Sequence, residues 1–279
     1  MNPTKAQAFR QLCYDRSGLA LTEAKDYLLL TRLEPVARAE GCGHIDELLD
    51  KALASPGGPV AQRCIDAMAT HESFFFRDGG PFEQLREKVL PGLIEACAQK
   101  RALRIWSAAC SSGQEPYSLA MLLLEERHRM PEWDVTIVAT DMSEPILDRA
   151  RTGRYSEFEA RRGLSDERRM RWMTADGGGF KVAPQVRDMV EFRHHNLLDG
   201  VSMLGRFDLI FCRNVLIYFD MELKTLTLER IAKILEPHGV VIMGSAESVV
   251  GLQTPFAPRP GLRGVYQLSS APPAIRKSA

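Results

Sequence analysis

Between Ser107 and Pro116 the sequence reads SAACSSGQEP. The residues before it, LRIW, are apolar and β-prone. Those after it, YSLAMLLLEERH, repeat apolar residues at helical spacing. The ten residues therefore form a strand-to-helix turn, a place where backbone N–H groups and the helix dipole hold nucleotides. A phosphate-wrapping loop needs several glycines and a Gly-Lys-Ser/Thr ending, and a dinucleotide loop needs G-x-G-x-x-G. This loop has one glycine, Gly113, and no lysine. A ligand with an adenosine but no phosphate meets those limits, and S-adenosylmethionine is one. Its amino-acid end can lie over small residues, with Gly113 allowing close approach.

Three further stretches carry candidates. VTIVATD ends in Asp141, 28 residues after Gly113. A carboxylate at a second strand end can accept both ribose hydroxyls, or it can N-cap the helix beginning near Ser143. Read together with the loop, the ribose role is preferred. Glu115, in the first helical turn, suits the helix dipole in any protein and can equally accept from a methionine ammonium. FDLIFCRNVLIYF runs from a buried strand into Arg213–Asn214 and then Tyr218–Phe219. Polar residues that end such a strand either satisfy a turn or face a ligand at the carboxyl edge. In HESFFFRD, residues 71–78, Phe75 and Phe76 read as an interdomain plug, while Arg77 is placed to fork onto a carboxylate.

The elements that must position these residues fall into two patterns. Residues 1–70 read as helices only, with Thr22 as an N-cap and Gly41 as a stop. Residues 71–102 connect. From Leu103 strands alternate with helices: 103–108, 135–141, 190–198, 207–214, 240–247 and 264–269. Continuous apolar strands between amphipathic helices imply a buried, mostly parallel sheet over 103–270. Residues 154–190 break the rhythm with a basic helix, DERRMRWM, and a hairpin at DGGGFKV, and read as an insertion. Residues 271–279, small, Pro-rich and charged, read as a disordered tail or linker.

Composition narrows the class. The 36 basic and 36 acidic residues cancel, which argues against nucleic acid and lipid as partners. Six cysteines at 13, 42, 64, 97, 110 and 212 include no C-x-x-C pair, which implies a reduced, cytoplasmic protein without a metal site. His194 and His195, adjacent in a strand, should point to opposite faces and read as structural. No apolar run is long enough to enter a membrane.

THESFFFRD, WSAACSSGQEPYSLAM, VATDMS, NLL at 196–198, FDLIFCRNVLIYF and GSAES occur in this order across residues 70–248. Together they resemble the CheR-type chemoreceptor glutamate O-methyltransferases. The resemblance implies a Rossmann-like class I methyltransferase sheet, an N-terminal helical domain and a small inserted β-subdomain. It implies methyl transfer from S-adenosylmethionine to glutamates on the cytoplasmic helical bundle of methyl-accepting chemoreceptors, for adaptation in chemotaxis-like signalling. By position it implies that His71, Ser73 and Arg77 line the cleft, Glu115 holds the methionine portion, Asp141 the ribose, and Asn196 and Leu197 the adenine. Cys212, Arg213 and Asn214 would lie beside the cofactor, with Tyr218 near the transferring methyl and Arg77 positioning cofactor and cleft. Gln114 stands where an acidic residue is commoner. The short DGGGF loop implies independence from a receptor C-terminal peptide tether. The resemblance also allows for C-terminal helical repeats beyond this chain.

A glutamate nucleophile has a pKa of about 4.3 and is ionised at neutral pH, so no nucleophile–base pair is expected. Arg161, Arg162, Arg168, Arg169 and Arg171 of the insertion are candidates to meet an acidic receptor, or form a solvated face. Two other readings stay open: a methyltransferase acting on a small molecule or nucleic acid, and a non-catalytic module sensing S-adenosylmethionine or S-adenosylhomocysteine.

Overall fold

The computed structural model describes residues 1–269, so the 271–279 tail lies outside the described residues. The described chain divides into two compact units: residues 1–71 with 218–223, and residues 72–217 with 224–269. No helix among the described residues is long and apolar enough to cross a membrane.

The first unit is helical. Its helices are α1 (Pro3–Ser17), α2 (Asp26–Ala39), α3 (Ile45–Ala54) and α4 (Pro59–Met68). Asn2 caps α1 by accepting from the Thr4 and Lys5 N–H groups, and Gly18, at φ 72°, ends it. Thr22 does not cap α2 through its side chain; a short 3₁₀ turn, Glu23–Lys25, intervenes. Apolar faces from all four helices, including Phe9, Leu33, Leu48 and Ile65, are buried. The segment Tyr218–Leu223 belongs here too. Tyr14 Oη donates to Asp220 at 2.6 Å, and the Phe219 ring fills the space where a Cβ on Gly18 would sit.

The second unit is a doubly wound sheet. Helix α5 (Gly80–Gln84) runs through a π-helical turn into α6 (Leu90–Ala96). The strands and helices then follow as β1 (Ala102–Ala108), α7 (Gln114–Glu125), β2 (Asp134–Asp141), α8 (Glu144–Thr152), β3 (Arg154–Ser156), α9 (Glu157–Arg161), α10 (Asp166–Trp172), β4 (Met173–Asp176), β5 (Gly179–Val182), α11 (Pro184–Arg187), β6 (Val190–His194), β7 (Phe207–Cys212), α12 (Met221–Ile234), β8 (Leu235–Met243), β9 (Phe256–Pro258) and β10 (Val265–Leu268). The large sheet is ordered β6-β2-β1-β7-β8-β10-β9. The run from β6 to β8 is parallel, and β10 and β9 are antiparallel. β1 has β2 on one side and β7 on the other, so the order reverses there. The crevice between β1 and β7 is the switch point at which such sheets bind ligands.

Several boundaries differ from the sequence pattern, and three have a clear cause. β6 stops at His194 because Asn196 Oδ1 accepts from Leu198 N–H at 3.0 Å and turns the chain. β7 stops at Cys212, since Asn214 lies at φ 58°. β8 begins at Leu235 rather than Val240. Pro237 and Gly239 are accommodated where the β7–β8 pairing shifts register. The insertion forms its own sheet, β3-β5-β4, and its first strand carried no sequence signal. Phe75 and Phe76, read as an interdomain plug, belong to the core of this second unit.

At the amino end of β7, Asp208 is fully buried. Its Oδ2 accepts from Arg104 N–H at 2.8 Å, and its Oδ1 meets Lys100 Nζ at 2.6 Å and His238 Nε2 at 2.9 Å. Burial pushes the carboxyl up, but these hydrogen bonds outweigh it and hold Asp208 below its ordinary 3.8. Cys97 lies within reach of both Asp208 and His238, but burial pushes its thiol up to about 11. With Lys100 already neutralising the carboxylate, the cluster is a closed hydrogen-bond network. Asp208→Asn should cost about 2–3 kcal/mol at pH 7 by urea unfolding. Because the native carboxyl is depressed, its contribution is present above 3.8 and lost as the pH falls through the lower folded-state value. The gap between wild type and variant should therefore close in acid.

Candidate functional site

The loop after β1 is held in an unusual backbone state. Ala109 and Ser111 have φ of 55° and 52°, and Gly113 has 92°. Cys110 N–H donates to Thr140 O at 2.8 Å. The 109–113 backbone is thus tied to the end of β2. Non-glycine residues in the left-handed region cost free energy and cluster at functional sites. Of the seven such residues among those described, Phe76, Asp78, Ala109, Ser111 and Asn214 lie in the segments bordering this crevice.

Gly113 plays a different part from the one its sequence context suggests. A Cβ there would lie 3.0 Å from Ala150 Cβ, 3.1 Å from Tyr155 Oη and 3.3 Å from Phe192 Cζ. The space beside it is filled by protein, so the glycine allows helix and sheet to pack rather than a ligand to approach. Tyr155, from β3 of the insertion, also donates to Ser112 O at 2.7 Å and braces the loop from below. No local pattern around Tyr155 signals this role.

Asp141 ends β2 and is buried. Its Oδ2 accepts from Ser111 N–H at 2.9 Å and its Oδ1 from Ser143 N–H at 3.1 Å. Asp141 thus serves the approach to α8, whose cap position is Ser143, and in addition pins the β1 loop, a role neither sequence reading included. Each oxygen retains acceptor capacity for one more donor.

Across the switch point, Arg213 follows β7 with its side chain fully buried. Its Nη1 donates to Glu115 Oε2 at 3.0 Å. Its Nη2 donates to Asp78 Oδ2 and to Arg77 O, both at 2.8 Å. Its Nε has no partner among the described residues. Ser107 Oγ donates to the other Glu115 oxygen at 2.8 Å. Burial pushes the Glu115 carboxyl above the usual carboxylate range, and Arg213 and Ser107 oppose that shift. Arg213 thus bridges two carboxylates, with one hydrogen bond to each. Arg77 Nη1 instead donates to Glu72 O at 2.8 Å, and its guanidinium lies over Phe74.

The remaining candidates sort by unit. Ser73, Arg77, Glu115, Asp141, Asn196, Leu197, Cys212, Arg213 and Asn214 belong to the sheet unit, whereas His71 and Tyr218 belong to the helical one. Leu197 is buried, and its carbonyl accepts from Arg230. Cys212 is buried at the end of β7, and burial pushes its thiol well above the usual range. His194 turns its Nε2 to Met142 O, while His195 packs edge-on against Trp106. Asp78 and Glu247 were not singled out from sequence. Both are single carboxylates inside turns, and only the pairing with residues far along the chain reveals them.

The insertion's arginines are largely neutralised. Arg161 pairs with Glu157, Arg162 with Glu72, Arg169 with Asp166, and Arg168 makes two hydrogen bonds to the half-buried Glu125. Arg171 lies over the Trp172 ring.

The donor and acceptor set suits an adenosyl ligand that carries a positive charge and hydroxyls. Two carboxylates face the strand ends, Arg213 is consumed by protein carboxylates, and the loop offers small residues without a phosphate-binding lysine. This is the class of doubly wound sheets that bind an adenosyl ligand without a phosphate loop. Residues 71–264 match the family described as CheR methyltransferase, SAM binding domain, and residues 5–69 match the CheR methyltransferase all-alpha domain. The chain is similar to chemotaxis protein methyltransferase 1 of Pseudomonas aeruginosa, at 44% identity over 88% of this chain and 90% of that protein. It is similar to chemotaxis protein methyltransferase Cher2 of Pseudomonas putida, at 42% identity over the same shares. Chemotaxis protein methyltransferase 1 of Vibrio cholerae is 41% identical over 90% of this chain and 92% of that protein. The chain belongs to the CheR methyltransferase family, and S-adenosylmethionine is its cofactor.

Arg213→Met, which leaves Glu115 and Asp78 unpaired, should destabilise the protein by about 3–5 kcal/mol in urea unfolding at pH 7. The loss should shrink as the pH falls and Glu115, already raised by burial, takes up a proton.

Proposed function

We propose that the chain methylates glutamate side chains on the cytoplasmic helical bundle of methyl-accepting chemoreceptors, forming glutamyl methyl esters for adaptation. The observation that carries this reading is likeness over nearly the whole chain to proteins named chemotaxis protein methyltransferases. It agrees with a crevice lined by acceptors for a cationic, hydroxyl-bearing cofactor. Glu115 would accept from the methionine ammonium and Asp141 from the ribose hydroxyls. Asn196 and Leu197 would flank the adenine. His71, Ser73 and Arg77 would line the cleft, with Cys212, Arg213 and Asn214 beside the cofactor and Tyr218 toward the acceptor.

When bound, the cofactor supplies a sulfonium methyl, an electrophile matched to a carboxylate. No protein base is required, because an acceptor glutamate is already ionised at neutral pH. The protein's tasks are alignment and exclusion of water, since neutralising an anion against a cation is disfavoured by strong hydration of the separated charges. Arg77 would position cofactor and cleft. A guanidinium placed on the attacking carboxylate would weaken it as a nucleophile.

The direct test is tritium-labelled methyl transfer to a receptor cytoplasmic fragment, followed by release of methanol in base. Base-labile label in the receptor supports the reading. Label only in RNA or in small carboxylates would move the assignment to another acceptor. Cofactor binding with no acceptor at all would favour a sensing module.

Turnover should change less than about twofold between pH 6 and 8, because the ionised acceptor needs no protein base; a bell centred near neutrality would implicate a base. Removing the receptor's C-terminal peptide should leave the rate unchanged; a clear fall in rate would show that a tether is used. Among the insertion arginines, Arg171→Glu should slow receptor methylation and flatten its salt dependence. Arg168→Glu should instead lower the melting temperature, because it faces Glu125.

A further inference from the structure

Glu247 lies in the turn after β8 and is 7% exposed. Its Oε2 accepts from Asn214 N–H and Gly244 N–H, both at 2.8 Å. Its Oε1 accepts from Val215 N–H at 3.0 Å and Leu216 N–H at 2.8 Å. A carboxylate has about four acceptor positions, and the backbone fills them all. Glu247 therefore has no capacity left to hold a ligand itself. It satisfies three successive N–H groups of the loop that follows β7, groups that neither a strand nor a helix serves. Asn214, the first of them, is held at φ 58°.

The partner side of this contact is equally constrained. A Cβ on Gly244 would lie 2.7 Å from Glu247 Oε2, 3.0 Å from Asn214 Nδ2 and 3.1 Å from Asn214 N. The Gly244–Glu247 turn, itself closed by Glu247 N–H to Gly244 O at 3.0 Å, thus fits against Asn214 with no room for a side chain. Strained backbone persists where its surroundings over-determine it, and such places are functional. Arg213 fixes the β7 end through side chains, and Glu247 fixes the next three residues through backbone.

We propose that Glu247 is a positioning residue for the cofactor cleft. By gathering the amides of residues 214–216 onto one buried carboxylate, it holds the post-β7 loop in the shape that presents Asn214 to the cofactor. The inference rests on the reading that Asn214 lies beside the cofactor. Gln at 247 keeps the size but turns a donor toward two of the amides, and so opens the loop.

The test compares full-length Glu247→Gln, Gly244→Ala, Asn214→Ala and a buried control, Leu103→Ala, at the opposite end of the sheet. S-adenosylhomocysteine affinity is measured by calorimetry, amide exchange at 214–216 by mass spectrometry, and melting by circular dichroism. Glu247→Gln and Gly244→Ala should each weaken binding about tenfold or more and lose protection at 214–216. Leu103→Ala should lower the melting temperature yet bind within about twofold of wild type. Normal affinity in a Glu247→Gln protein that has lost its loop protection, or unchanged protection, overturns the proposal. So does a loss of affinity no greater than that of Leu103→Ala. If Glu247→Gln does not fold, Gly244→Ala decides by the same criteria. Normal binding by Asn214→Ala contradicts the place of Asn214 in the cleft, a separate outcome from failure of the Glu247 lock.

Discussion

The site depends on one buried guanidinium. Arg213 reaches from the end of β7 to Glu115 on α7 and to Asp78 in the segment before α5, closing the switch point of the sheet. Burying a charge of this kind is favourable only when its partners are present and well placed. Each partner is consequently held by further contacts: Glu115 by Ser107, and the Asp78 segment by Phe76 N–H donating to Ser118 Oγ at 2.9 Å. Three regions far apart in sequence are thereby drawn to one carboxyl edge. The arrangement also gives the cleft its charge character. Arg213 Nη1 and Nη2 are engaged by protein oxygens, and Glu115 and Asp141 keep acceptor capacity at this edge for the proposed cofactor.

That character explains why the loop lacks phosphate-binding residues. Phosphate recognition places a cation and several free amides at a helix start. Here Ser111 N–H is already taken by Asp141, and Cys110 N–H by the β2 backbone. The left-handed geometry at Ala109 and Ser111 makes these internal bonds possible. The proposed cofactor would meet carboxylates and small side chains. The same setting suits a cofactor whose charge is positive and whose hydroxyls need acceptors.

Much of this was legible in the sequence for physical reasons. Buried parallel strands read as apolar runs, so the sheet, the loop after β1 and the acidic end of β2 were visible. The resemblance, carried by six ordered motifs, pointed to the family that the comparisons show. What stayed hidden depends on long-range pairing. Arg77 and Arg213 have the same chemistry in sequence, and only folding shows that Arg213 bridges Glu115 and Asp78. Gly113 looked like a gap for ligand, whereas Tyr155, Ala150 and Phe192 occupy its surroundings. The arginines of 161–171 looked like an exposed basic face, yet most have acidic partners, one of them, Glu125, supplied by α7. The end of β6 moved by several residues because the Asn196 side chain captured the backbone.

The central claim is that an adenosyl cofactor lies across the carboxyl ends of β1, β2 and β7. A crystal structure with S-adenosylhomocysteine tests it most directly. The account predicts ribose hydroxyls within hydrogen-bond distance of Asp141, the amino-acid end beside the loop at 109–113, and Arg213 still bonded to Glu115 and Asp78. Ligand density elsewhere, or an Arg213 released from both carboxylates to bind the ligand's own carboxylate, would contradict it.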